Sequence, residues 1–207
     1  MHGWATSLSE CDIKEFMGKQ KVEDIIKSGF AGIKPESGFY VWWFPQKEAK
    51  ALIKPLKKFI DANKLRKVQF EQIDGKTYYA LYFGIASKKG GLLQRIRWHM
   101  AKINRHTKSC VKNKTVSTLR QTICGVKHWK MYDDNFKTSG KVDDILKKCY
   151  WEWHSHTNPK EVENKALDPK YNKDVCYPLN IQGNKTIAPE CKKALIELRK
   201  EARKIED

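Results

Sequence analysis

Two aromatic, β-branched runs, Phe39 to Phe44 and Thr77 to Ile85, read as buried strands, and what brackets them constrains the rest of the fold. Turn-forming residues bound both, with Ser37-Gly38 before the first and Ser87 and Gly90-Gly91 after the second. The first run opens with Gly38-Phe39-Tyr40 and the second contains Tyr82-Phe83-Gly84. Between them, Val68 to Ile73 and Thr77 to Ile85 flank Asp74-Gly75, the signature of a hairpin with a tight turn. The tripeptides are therefore expected as neighbours in the sheet although they are not hairpin neighbours in the chain. The segment Leu92 to Met100 follows, with Leu92, Ile96 and Met100 on one helical face and Arg95 and His99, at i and i+4, projecting together from the next.

The remaining elements are read the same way. Leu8 to Gly29 reads as an N-terminal helix whose Phe16, Ile25 and Ile26 pack on the body. Glu48 to Asn63 carries apolar residues near helical spacing, with Pro55 a kink or break. Ser117 to Cys124 reads as a helix start capped by Ser117, an end that can hold a phosphate or simply cap a buried Leu119 and Ile123. Cys149 to Trp153 reads as a third strand, Pro159 to Leu167 as a helix bearing Glu161 and Glu163, and Pro189 to Lys204 as an amphipathic helix. These elements predict an α/β fold in one domain spanning 1–207: a small, mainly antiparallel three-stranded sheet flanked by helices, with N- and C-terminal helical additions.

Forty-one Lys and Arg stand against 24 Asp and Glu, a formal charge of +17, and the cations are spread over Lys47 to Lys67, Lys88 to Lys114, Lys127 to Lys148 and Lys192 to Lys204. Distributed charge of this size suits a broad basic face for a polyanion; solvated surface lysine would give the same composition. No run of about 18 apolar residues is present, which excludes a membrane-spanning helix. The first residues lack the basic and apolar regions of a secretory signal, so a cytoplasmic address is expected. The six cysteines are scattered without a Cys-x-x-Cys pair and are expected as reduced thiols. His154 and His156 alternate on a strand, as surface histidines or as two metal ligands without a marked third.

The order of Gly38-Phe39-Tyr40, Tyr82-Phe83-Gly84, Arg95-x-x-x-His99, a Glu-bearing helix and Pro178-Leu179-Asn180 resembles the GIY-YIG nuclease superfamily, over a core of about 38–184 between an N-terminal extension, 1–37, and a C-terminal helix, 185–207. Two insertions, Lys47 to Lys67 and Asp168 to Cys176, depart from the compact family pattern. The resemblance implies phosphodiester hydrolysis of double-stranded DNA with Mg²⁺, or Mn²⁺ in its place. It implies roles for Tyr40 at the attacking water, Arg95 on phosphate charge, Tyr82 and His99 in hydrogen bonding and proton handling, and Asn180 as an orienter. The metal would sit on Glu163, with Glu161 the alternative. Lys88, Lys89, Arg97, Arg105, Ser117 and Arg120 are candidate DNA contacts. A compact chain of this kind is most similar to a stand-alone type II restriction endonuclease, acting as a homodimer on DNA with the insertions as recognition elements. The alternatives are a structure-specific repair or recombination nuclease and a non-catalytic nucleic-acid-binding protein.

Overall fold

A computed structural model describes residues 17–87, 90–100, 117–132 and 139–204. Along the chain the elements are β1 (Met17–Lys21), α1 (Val22–Lys27), β2 (Gly38–Pro45), α2 (Gln46–Ile53), a 3-10 turn (Lys54–Leu56), α3 (Ala62–Leu65), β3 (Phe70–Ile73), β4 (Lys76–Ala86), α4 (Gly91–His99), α5 (Thr118–Val126), α6 (Gly140–Leu146), β5 (Tyr150–Ser155), α7 (Pro159–Ala166) and α8 (Pro189–Ala202). The sheet has five strands in the order β1-β5-β2-β4-β3, every pair antiparallel. The expected three strands are its centre.

The two additional strands have separate origins. Met17–Lys21 lies inside the stretch expected as one helix, but pairs with β5 from Met17↔His154 to Lys21↔Tyr150; among the described residues of that stretch only Val22–Lys27 is helical, and Leu8 to Phe16 lie outside the described residues. The run Met17-Gly18-Lys19-Gln20-Lys21 has little apolar character of its own, so the open edge of β5 decides its conformation. Phe70–Ile73 is the hairpin partner of β4 and closes the other side of the sheet.

Each face of the sheet buries its own cluster. Tyr40, Trp42 and Phe44 point to the face covered by α2, α4, α5 and α8, whereas Phe39, Val41 and Trp43 point to the face under α7. A register shift between Trp42 and Trp43 pairs Trp42 with Tyr82 and Trp43 with Ala80. The shift puts Leu81 and Tyr82, though consecutive, both in the first cluster, so the bulge aims Tyr82 to the same side as Tyr40.

The first insertion runs as α2, the 3-10 turn containing Pro55, and α3, so the proline breaks the helix as expected. The second is tied to it: the Cys176 amide donates to Lys67 O at 3.1 Å, and Lys67 Nζ donates to Lys173 O. Helix α6 had no counterpart among the expected elements. Cys124, Cys149, Cys176 and Cys191 are free and buried, and burial pushes the Cys124, Cys176 and Cys191 thiols up to about 11. No helix among the described residues is long and apolar enough to cross a membrane.

Candidate active site

Tyr40 lies on the middle strand at 1% exposure, and its hydroxyl sits 2.8 Å from His99 Nε2. The other ring nitrogen of His99, Nδ1, is 2.7 Å from Ser117 Oγ, which also accepts from the Arg120 amide at 3.3 Å. A strand, the last turn of α4 and the cap of α5 are thereby joined through one imidazole. Helix α4 is set in place at its start: Gly90 and Gly91 have φ of 81° and 54°, and a Cβ on Gly91 would meet Glu36 O at 2.4 Å. That close approach lets the Leu92 amide donate to Glu36 O at 2.8 Å.

Burial sets the protonation of this pair. It drives the Tyr40 phenol well above its ordinary pKa, with Tyr82 and Glu163 adding to the rise and Arg95 opposing it. Desolvation outweighs the opposing Arg95 charge, so Tyr40 holds its proton. His99 moves the opposite way, held well below the ordinary imidazole value by burial and then by Arg95 and Arg120. A protonated phenol thus faces a neutral imidazole. Arg95 itself is half-buried, its guanidinium 5.3 Å from the Trp98 ring centroid.

Tyr82 begins a second chain of hydrogen bonds on the same face. Its hydroxyl is 3.0 Å from Thr118 Oγ1, the Thr118 carbonyl accepts from Thr122 Oγ1 at 2.9 Å, and Thr122 Oγ1 accepts from Arg199 Nε at 2.7 Å. Arg199 comes from α8, packed along α5, and has no carboxylate partner among the described residues. Burial pulls its pKa down to about 10 while Tyr82 pulls it up, so it is charged at neutral pH. The sequence reading passed over Arg199. Its position four residues after Leu195 and three before Ala202, at the edge of the apolar stripe, is the signal that marks it.

On α7, Glu163 has a side chain 17% exposed and is ion-paired to Lys160 at 2.6 Å. It lies near enough to Tyr40 for its charge to act there. Glu161 is more exposed, at 53%, and is bound to Lys165 at 2.7 Å. Asn180 makes a two-way clamp on the backbone of β4: its Oδ1 accepts from the Phe83 amide at 2.8 Å and its Nδ2 donates to Phe83 O at 2.7 Å. The Leu179 amide donates to Leu81 O at 3.1 Å, so Pro178-Leu179-Asn180 covers the part of the β4 edge that β3, pairing only with Lys76 to Tyr79, leaves open. Both ends of the Asn180 amide are used in holding Tyr82-Phe83-Gly84.

The arrangement of two strand tyrosines, an Arg/His helix, a carboxylate helix and an asparagine clamp is accompanied by a sequence match of residues 38–201 to the model of the GIY-YIG catalytic domain. The chain belongs to the GIY-YIG catalytic domain family. It carries a nuclease domain whose substrate is DNA. No curated protein and no solved structure matches it.

The candidate DNA contacts of this GIY-YIG domain fall into three groups. Arg97 is exposed, its guanidinium 5.4 Å from the Phe30 ring centroid, and is open to a phosphate. Ser117 and Arg120 are buried. Ser117 is the cap of α5, as expected, but its hydroxyl is engaged by His99 and the Arg120 amide. Arg120 donates to His99 O at 3.0 Å, to Asp143 Oδ1 at 2.5 Å and to Ser139 O at 3.1 Å, so its guanidinium braces the end of α4 from inside. Lys88, Lys89 and Arg105 lie outside the described residues.

His154 and His156 do not converge on a metal cluster; no group of three or more His, Cys, Asp or Glu side chains forms one among the described residues. His154 Nε2 lies 3.0 Å from Glu152 Oε1, and Glu152 Oε2 accepts from Trp43 Nε1 at 2.7 Å and pairs with Lys19 at 2.9 Å. Burial alone would raise the Glu152 pKa, but His154 and Lys19 together bring it below the ordinary value.

Proposed function

We propose that the protein is an Mg²⁺-dependent endonuclease that hydrolyses double-stranded DNA, of the type II restriction kind, with Mn²⁺ able to replace Mg²⁺. The observation that carries this reading is the Tyr40–His99–Ser117 chain, closed at 2.8 and 2.7 Å on the face that also holds Tyr82. A phenol hydrogen-bonded to a neutral imidazole is within the reach that proton transfer requires.

The donor set suits the metal. Mg²⁺ retains waters and takes one or two carboxylates together with substrate phosphate oxygens, so one half-buried Glu163 is sufficient protein ligation once Lys160 gives way. A bound ion would supply neutralisation of charge on the phosphate and the leaving oxygen. The chain's own residues do the rest. Tyr40, protonated, orients the attacking water and relays its proton to His99 Nε2, while Ser117 fixes the imidazole from behind. Arg95 and Arg199 place guanidinium charge toward the two tyrosine hydroxyls, where the phosphate becomes more negative in the transition state.

Incubation of supercoiled plasmid with protein and Mg²⁺ tests the proposal. Discrete fragments of fixed length support the restriction reading, whereas preferential cutting of branched substrates moves the enzyme to repair or recombination. Retarded but uncut plasmid, with Mg²⁺ or Mn²⁺, overturns the catalytic reading. Cleavage of both strands at a symmetric site calls for two active sites, so sedimentation of the DNA complex is expected to give a protein dimer.

A further inference from the structure

The sheet face that carries Tyr40 and Tyr82 also borders a concavity. A cavity of about 710 Å³ opens between α2, the 3-10 turn, α3 and β4, with Ile53, Ile60, Leu65 and the ring of Tyr79 among its lining. Lys50, Lys54, Lys57 and Arg66 line it too. None of these four cations is paired with a carboxylate among the described residues, because the two acids of this insertion are engaged elsewhere: Glu48 with Lys148 at 3.0 Å, and Asp61 with the Asn63 amide at 2.6 Å. An apolar hollow surrounded by uncompensated positive charge calls for a ligand that is flat and apolar at its centre and anionic at its edges.

A separate observation points to the same ligand. Phe70 is 66% exposed on the edge strand, directly opposite Tyr79 in the register, with ring centroids 6.0 Å apart. Tyr79 lines the cationic hollow and the exposed Phe70 ring stands beside it, a combination that matches the stacking platform and charged track that single-stranded nucleic acid uses. Along the sheet, Tyr79 pairs with Phe44 and Gly84 with Tyr40, so the cavity lies four residues along β2 from Tyr40, on the same face. At about 3.3 Å per residue this is roughly 13 Å, close to four base steps of duplex.

We propose that this cavity is a second nucleic-acid site, which takes an unstacked nucleotide of the substrate strand with its base against Tyr79 and Phe70 and its flanking phosphates on Lys50, Lys54, Lys57 and Arg66. The inference rests on the reading of the protein as a DNA nuclease and extends it: the insertion between the two tripeptides grips a strand whose base has left the helix. Charge decides against a purely apolar guest, which would leave four cations uncompensated. The aromatic pair decides against a simple inorganic anion, which would leave the hollow and the exposed ring without contact.

The test uses the full chain in EDTA with a short single-stranded oligonucleotide carrying one 2-aminopurine, alongside Mg²⁺ cleavage of duplex plasmid as a separate readout. Binding with quenching of the 2-aminopurine emission is expected. Phe70→Ser is expected to relieve the quench and weaken single-strand binding by roughly five- to 150-fold, the worth of one stacked base. Lys54→Gln/Lys57→Gln is expected to lower the slope of log K against log salt by about 1.4, two phosphate contacts on a single strand. A protein that cuts plasmid yet binds the oligonucleotide equally well with and without these substitutions overturns the cavity site and leaves the nuclease reading standing. Quenching lost on Phe70→Ser in a protein that never cuts DNA supports the cavity site and overturns the nuclease reading.

Discussion

A Cβ placed on Gly84 would fall 2.3 Å from the hydroxyl oxygen of Tyr40. The last residue of the second tripeptide is therefore a glycine because the last residue of the first lies across it, Tyr40 and Gly84 being paired in the register. Gly84→Ala is expected to push the Tyr40 ring off His99 and to cost on the order of 1–3 kcal/mol in stability, as overpacking of a tight interior does. Cleavage is expected to fall further than stability accounts for. Urea denaturation alongside plasmid cleavage checks this; an alanine variant with unchanged cutting would separate the glycine from the tyrosine's position.

Tyr40→Phe keeps the ring against Trp151, with centroids 5.6 Å apart, and deletes only the hydroxyl that meets His99. Cleavage is expected to drop by about 10²–10⁴, the range for loss of a positioned proton-transfer group, with DNA affinity unchanged in a gel-shift assay. Ser117→Ala removes a helix cap worth about 1 kcal/mol together with the partner of His99 Nδ1. It is expected to slow cleavage less than Tyr40→Phe. Ser117→Thr, which restores a hydroxyl, is expected to recover most of the loss, and failure of that rescue would reduce Ser117 to a cap.

The central strands and the Arg95/His99 helix were legible because their signals are local: aromatic runs, turn residues, and a spacing that repeats with the helix. β1 was not legible, since Met17–Lys21 becomes a strand through the edge of β5, a partner about 130 residues away. The direction of the Tyr40 pKa was hidden for a similar reason. A sequence shows that Arg95 is near in the chain to His99, but not that the phenol is packed against Tyr82 of β4, His99 of α4 and Trp151 of β5. Arg120 illustrates the converse: a basic residue one turn into a capped helix reads as a phosphate ligand, and only the positions of Asp143 and the His99 carbonyl reveal it as an internal brace.

Glu163 and Glu161 occupy one helix and differ in surroundings. Glu163 is the less exposed and acts on Tyr40, whereas Glu161 faces solvent beside Lys165. Glu163→Gln is expected to lower Mg²⁺-dependent cleavage by on the order of 10²–10³, with Glu161→Gln close to the unsubstituted rate. Isothermal titration with Mg²⁺ or Mn²⁺ in the presence of uncleaved DNA gives an independent reading. The reverse ranking in both assays would move the ligand role to Glu161.

Asn180 is expected to act through β4. Asn180→Ala leaves the Phe83 amide and carbonyl without their partners on a buried edge, which costs about 2–4 kcal/mol when both are stranded. Asn180→Asp fails differently, because a carboxylate can accept from the Phe83 amide but repels the Phe83 carbonyl. Both variants are expected to unfold at lower urea, and hydrogen exchange at Phe83 is expected to rise selectively. Protection at Phe83 equal to the unsubstituted chain would show that Asn180 is not what secures the strand.

The last expectation follows from His99. Its folded pKa lies well below 6.5, so between 6.5 and that lower value the unfolded chain binds a proton that the native chain refuses. Stability therefore falls as pH drops through this window and is recovered as pH rises. From pH 6.5 to 5.5 a single such group removes about 1 kcal/mol. The carboxylates held low in the native chain, Glu23, Glu152, Glu161 and Asp168, lose their contributions only at lower pH, near and below their unfolded values of 4.5 and 3.8, so they do not act here. Urea midpoints at pH 7.5, 6.5 and 5.5 are expected to decline, and His99→Gln is expected to flatten the decline whatever its own stability. The cleavage rate of the folded fraction is expected to hold over the same range, because native His99 stays neutral and able to take the proton from Tyr40. A decline of equal slope in His99→Gln would assign the acid sensitivity to another group and remove the buried neutral imidazole from the mechanism.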